Sequence, residues 1–336
     1  MSQRITVRAG GVSLRFHARS AAVTTALFVA MLAGLVASVA VGEFAIPPAD
    51  VVNTLVGAGD QATNFVVLDL RLPRALTGLL VGAALGVAGA IFQDVTRNPL
   101  ASPDVVGIAS GGSLAAVALI VFTEVEAVPL AALAGSLTAG ALLYVLAWRG
   151  GVQGFRLVLV GIGVAAFANA GISYVLTRGR IFEVETAYVW LVGSLNGRSW
   201  DQVWPLAVGV GVLVPVILAL SRRVAVLGLG DDVARSLGVG VERSRLLLLG
   251  AAVLLTGLAV SAAGMVSFVA FVAPHIARRL TRSTSMLAAA GCGAVLVLSA
   301  DLIGRTLSPP TEIPVGILTS IIAAPYFLLL LRRARA

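Results

Sequence analysis

Lysine is absent from this 336-residue chain, and cysteine is nearly so: Cys292 stands alone. Without lysine, the glycine-rich loop whose lysine cradles nucleotide phosphates cannot be built, so any ATP and Mg that drive this protein are expected in another chain. A single cysteine excludes an intrachain disulfide. Two histidines, His17 and His275, far apart in sequence, leave too few soft ligands for a transition-metal site, so no bound metal or other cofactor is expected. Charge is scarce as well. Only 12% of residues are charged against 58% hydrophobic, and mean hydropathy is +0.99. Those values place the chain outside the soluble globular range and define an all-α, polytopic membrane protein.

About ten apolar runs have the length to cross a bilayer, near 21–42, 75–93, 107–122, 127–147, 157–177, 203–220, 246–263, 265–280, 286–304 and 315–331. All 24 basic residues are arginine. With the N-terminus inside, six of them (Arg71, Arg74, Arg178, Arg180, Arg198 and Arg305) fall outside, and the other eighteen, up to Arg335, fall inside. The positive-inside rule then predicts both termini in the cytoplasm. The net charge of +8 describes topology, and nucleic-acid binding is a poor reading of it. Residues 1–20 read as a cytoplasmic basic arm and 21–336 as one membrane domain. The first apolar run, although followed by Ser38-Val39-Ala40, is too long for a signal peptide and reads as a retained span.

Four features invite a structural or functional reading. The polar stretch 221–245 is too long for a turn and is patterned like short helices: Asp231 and Asp232 suit a helix N-terminus, Val233 and Leu237 share a face, and Gly238 offers a left-handed stop. It reads as a docking surface. Gly78, Gly82 and Gly86, four residues apart, form a small-residue stripe for close helix packing, with Gly89 beside it. Asp301, the one carboxylate inside the predicted spans, lies four residues before Arg305, and an ion pair that positions the arginine is favoured over a proton relay. Two longer outer segments, Glu43 to Arg74 with a helix after Pro47-Pro48 and Thr177 to Gln202 with Tyr188, Trp190 and Trp200, suit the membrane interface.

From about residue 65 onward the chain resembles the permease subunits of binding-protein-dependent ABC importers for ferric siderophores, haem and vitamin B12. The resemblance rests on RLPR at 71–74, GAALGVAGAIFQ at 82–93, RNPLASPDVVG at 97–107, WLVGSLNGRSW at 190–200, LGDDVARSLGV within 227–239, FVAPHIARR at 271–279 and EIPVGI at 312–317. FRLVLVGIGV at 155–164, GSLNG at 193–197 and GVERSRLLLL at 240–249 look most like one permease subunit of ferric enterobactin importers. The resemblance implies a type II importer permease fold of ten spans in the inner membrane. It also implies a catecholate-type ferric siderophore as cargo, a second permease, two ATPase subunits and an extracytoplasmic substrate-binding protein. Gly230, Asp231, Asp232, Ala234, Arg235, Leu237 and Gly238 would form the ATPase-coupling core, and Arg71, Arg74 and Arg305 would receive acidic residues of the binding protein. Haem or cobalamin import is the alternative within the family. An ion-coupled secondary transporter is a rival outside it, but would need more charge at mid-membrane. A membrane-embedded enzyme is weaker still, for want of a polar cluster at depth.

Overall fold

The centre of the molecule is a helix of small residues. The structure, a computed structural model, describes residues 4–9, 12–42, 46–125, 127–307 and 311–334; Glu43, Arg335 and parts of the 1–20 arm lie outside them. In chain order the elements are β1 (Arg4–Ala9), β2 (Val12–His17), α1 (Ala18–Ala40), α2 (Pro48–Leu55), α3 (Gln61–Asn64), a π-helical stretch (Phe65–Arg71), α4 (Leu72–Thr96), α5 (Ile108–Phe122), α6 (Val128–Ala147), α7 (Gly154–Leu176), α8 (Ile181–Val192), α9 (Trp200–Ala219), α10 (Ser221–Gly228), α11 (Asp231–Ser236), α12 (Val241–Ala263), α13 (Val269–Thr281), α14 (Met286–Thr306) and α15 (Val315–Ala334).

Seven helices among the described residues are long and apolar enough to cross a membrane, and α5 and α15 are shorter apolar helices. Each of the ten predicted runs coincides with a helix, with shifted ends. The clearest correction concerns 265–280. Gly264, at φ 72°, stops α12; the chain then continues without helix, Phe268 turns at φ 65°, and α13 begins only at Val269. Thirteen residues make about 20 Å of helix, short of the roughly 30 Å hydrocarbon layer, so α13 is a half-helix. Two further departures lie outside the spans. Residues 61–96 run as one continuous helical rod, so Arg71 and Arg74 belong to it and not to a separate outer segment. The basic arm contains an antiparallel hairpin, pairing Ile5 with Phe16 and Val7 with Leu14, where an all-α chain was expected.

The apolar window of the 61–96 rod is 83% buried, against 11% for α1, which fixes the rod as the axis and α1 as an outer helix. Helices α9, α12, α13 and α14 pack around α4, and α5, α6 and α7 form a neighbouring group joined through α12. The glycine stripe explains how α4 can be so enclosed. A Cβ at Gly82 would enter the backbone of Gly293, and one at Gly86 the carbonyl of Ala289, both on α14. Gly89 meets the carbonyl of Ala270 on α13 just as closely, while Gly78 faces side chains, the end of Leu195 nearest and Val297 and Leu298 of α14 behind it. Backbones in direct contact maximise dispersion where lipid removes the hydrophobic drive for helix association. Of the glycines in α7, Gly161 packs on Val106 and Gly163 faces open space.

Local signals set the helix ends. Pro73 sits in the first turn of α4 and Arg97, at φ 52°, ends it. Ser199 and Gln202 form a capping box for α9, the Gln202 side chain accepting the Ser199 N–H at 2.8 Å. His275 is tied to its own helix, Nδ1 lying 2.9 Å from the Phe271 carbonyl, in keeping with a structural role.

Candidate functional site

Two clusters of charge occupy opposite ends of α4, about 35 Å apart at 1.5 Å per residue. The first gathers the C-terminal end of α4, α10, α11, the start of α12 and the end of α13. Asp231 is its hub. Arg245 grips the carboxylate with two nitrogens, Nη1 to Oδ2 at 2.9 Å and Nη2 to Oδ1 at 2.6 Å, and Arg97 adds a further close contact to Oδ1. The Arg245 side chain is only 4% exposed and that of Asp231 28%, so the guanidinium is withdrawn from water while the carboxylate keeps one open side. Burial alone would raise the Asp231 pKa, but hydrogen bonds and charge from Arg245, with help from Arg97 and Arg235, hold it below the usual carboxylate value. Glu242 also meets Arg245 at 3.4 Å and accepts the Val152 N–H at 3.2 Å, drawing in the turn between α6 and α7. Beside this hub, Arg278 of α13 pairs with Asp94 of α4 at 3.5 Å, and Gln93 donates to the Phe271 carbonyl at 3.1 Å.

The residues of 227–239 therefore divide into two groups. Asp231 and buried Ala234 face the bundle. Asp232 is fully exposed and, among the described residues, is paired only with Arg235, at 3.3 Å, while Leu229, Val233 and Leu237 are exposed apolar side chains. Gly230, at φ 116°, turns the chain into α11. Gly238, at φ 77°, closes the helix in a Schellman arrangement: Val239 N–H donates to Ala234 at 2.9 Å and Gly238 N–H to Arg235 at 3.0 Å. The sequence reading treated the two aspartates alike and missed Arg97 and Arg245. The spacing of Glu242 and Arg245 in GVERSR hinted at the local pair; the link to Arg97 is non-local.

At the other end, Arg71, Arg74 and Arg305 do come together. They are not the exposed guanidinium groups that the sequence reading assumed. Arg74 lies between two acids: Nη2 donates to Asp301 Oδ1 at 2.8 Å, and Nη1 to Glu312 Oε2 at 2.8 Å. Asp301 is 3% exposed and also pairs with Arg305 at 3.2 Å, as the four-residue spacing on α14 predicts. Arg74, 227 residues away in sequence, is the partner that the sequence reading did not identify. Arg71 donates Nη1 to the carbonyls of Val39 and Ala40 at 3.0 and 3.1 Å, and Arg305 donates Nη2 to Ser38 at 3.2 Å. Both thus satisfy the open C-terminal carbonyls of α1. Removing the carboxylate by Asp301→Ala would leave two enclosed arginines short of charge. The expected cost is about 3 kcal/mol or more, read as a lower unfolding temperature in detergent; an unchanged temperature would show that water enters and compensates.

These arginines, with Arg198, line a bay of about 370 Å³. Arg198 rises from the loop 193–199, donates Nε to the Ser194 carbonyl at 3.2 Å and lies over the Trp190 ring at 5.4 Å. Desolvation lowers its pKa, and no acid among the described residues lies within 4 Å of it. Trp200 is also engaged, its Nε1 donating to the Leu68 carbonyl at 3.1 Å.

Known proteins share this architecture over nearly its full length. A probable siderophore transport system permease protein of Bacillus subtilis, YfhA, is 38% identical, the alignment covering 96% of this chain and 99% of the relative. The ferric enterobactin transport system permease protein FepG of Escherichia coli is 42% identical over 86% and 89%. Other relatives are named for import of ferric citrate, ferric hydroxamate and achromobactin. A solved ABC transporter of metal-chelate type, in an inward-facing conformation, superposes with a TM-score of 0.81 at 25% identity, covering 93% of this chain and 99% of that one. With the family model matched over residues 30–333, this chain belongs to the FecCD transport family and is a multi-pass inner-membrane permease of the ABC importers for iron and siderophores.

Proposed function

We propose that this chain is one of two permease subunits that together pass a ferric siderophore of catecholate type across the cytoplasmic membrane. The charge hub at Asp231 faces the cytoplasm and the arginine bay faces outward. Two ATPase subunits, which bind ATP and Mg, take the ridge of Leu229, Val233 and Leu237 into a cleft, and a substrate-binding protein settles on the bay. The permease binds no cofactor of its own. It makes weak contacts with cargo, so that release stays easy.

The observation that carries this reading is the clamp beneath the ridge. An exposed apolar knuckle, fixed by Arg97 to α4 and by Arg245 to α12, can deliver a push from a partner to the central helix. A loosely tethered loop would absorb it. The catecholate assignment rests on the GSLNG, FRLVLVGIGV and GVERSRLLLL segments and on the identity to the enterobactin permease.

The test is uptake of radioactive iron as ferric enterobactin, ferric citrate and a ferric hydroxamate in cells lacking only this gene, with haem and cobalamin uptake beside them. The expected result is loss of ferric enterobactin uptake alone, restored by the gene. Normal enterobactin uptake with loss of another chelate would keep the permease and discard the cargo. Uptake that survives ATP depletion but collapses with an uncoupler would replace the whole scheme with an ion-coupled one.

A further inference from the structure

The bay contains four arginines, yet three have their donors committed. Arg71 and Arg305 cap α1, and Arg74 is shared between Asp301 and Glu312. A partner's carboxylate arriving there needs a guanidinium with free donors, or one whose present acid can leave. Arg198 meets the first condition: Nε is used by Ser194, and among the described residues no ion pair engages Nη1 or Nη2. Asp69, exposed on the same rim, is not within ion-pair distance of it.

Arg198 is also well anchored. Its loop turns at Gly193 (φ 76°) and Gly197 (φ 68°), and is bonded to α12 through Ser194 N–H to Ala263 at 2.9 Å. The Trp190 ring supports the guanidinium plane. Little side-chain freedom is left to lose on binding, which favours affinity.

Arg74 meets the second condition. Its two acids differ sharply: the Asp301 side chain is 3% exposed and that of Glu312 33%. Only Glu312 can turn out to water. It stands in the segment that leads into α15, where Ile313 N–H reaches back to Gly304 at 3.1 Å.

We infer that Arg198 is a docking residue for an acidic side chain of the substrate-binding protein, and that Glu312 holds the place of a second carboxylate on Arg74 until that partner arrives. This rests on the docking proposed above and adds the exchange. Arrival of the partner swaps an internal ion pair for an intermolecular one, so the pair costs little to break and the segment before α15 is released.

The experiment uses the assembled transporter in nanodiscs, with its substrate-binding protein loaded with ferric enterobactin as the probe, and measures affinity and association rate against salt. Arg198→Gln should weaken binding by roughly 30-fold and flatten the salt dependence, with Arg198→Lys recovering part of the loss. Glu312→Gln should do the opposite, tightening binding and speeding association. Unchanged affinity and salt dependence in Arg198→Gln would overturn the first assignment, and weaker binding in Glu312→Gln would overturn the second by making Glu312 part of the scaffold. Competition by excess free citrate at wild-type affinity for the protein probe would make the bay a small-anion site instead. If wild-type transporter fails to bind the probe at all, the docking reading itself fails.

Discussion

Asp231→Ala is expected to abolish transport by dismantling the end of the bundle where α4, α11 and α12 meet, whereas Asp232→Ala should leave the fold untouched. The two neighbours sit in opposite environments. Asp231 is the main counter-charge of Arg245, a side chain 4% exposed, and also holds Arg97 from α4. Deleting one member of such a pair leaves a desolvated charge with only the longer Glu242 contact, a loss of about 3 kcal/mol. Asp232, fully exposed, contributes at most a surface pair with Arg235. The measurement is thermal unfolding and co-purification of the ATPase for each variant. Asp231→Ala should fail both, and Asp232→Arg should keep its unfolding temperature while losing ATPase affinity and uptake. A stable, transport-competent Asp231→Ala protein would remove the clamp from the argument. Because the Asp231 pKa is lowered on folding, its stabilisation is fully present above the ordinary carboxylate value of 3.8 and is lost only as pH falls through the lower folded value. Near neutral pH it is constant.

The second large effect is expected at Gly86. A leucine there must occupy space held by the backbone of α14 at Ala289 and Ala290, and backbone cannot step aside as a side chain can. Overpacking of this kind costs 1–3 kcal/mol even in forgiving cores, and here it must separate α4 from α14 along a whole face. Gly86→Leu should yield no folded protein after extraction in mild detergent, judged by size-exclusion profile. Gly78→Ala is the control: it presses on the Leu195 methyl group, which can rotate, so near-normal yield is expected. Equal yields from both variants would mean that the stripe is not a packing seam.

What could be read in advance followed the range of the interactions involved. The glycine stripe, the Asp301–Arg305 pair and the left-handed stop at Gly238 are local signals, and they were visible in the sequence. The sequence separated α12 from α13 at Gly264 but did not show the non-helical stretch before Val269, because Met265, Val266 and Phe268 are as apolar in extended chain as in helix, and hydropathy does not separate the two. The burial of Arg74 was likewise hidden. Its acids lie 227 and 238 residues away, and only the packing of α14 against α4 brings them within 3 Å. Charge on its own suggested an exposed docking residue. In the arm, the alternation of Arg4 to Ala9 carried the period of a strand, but the arginines were read first as topology signals.

The arginine caps on α1 have a consequence for how the protein is made. Helix α1 is made before α4 and α14, and the carbonyls at its far end have no partner within the helix. Arg71 can serve Val39 and Ala40 soon afterwards, once the next thirty residues are synthesised. The carbonyl of Ser38 waits for Arg305, 267 residues later, on α14. The end of α1 is therefore completed by α14, and a chain truncated before α14 would carry an open polar end that a quality-control protease in the membrane would recognise.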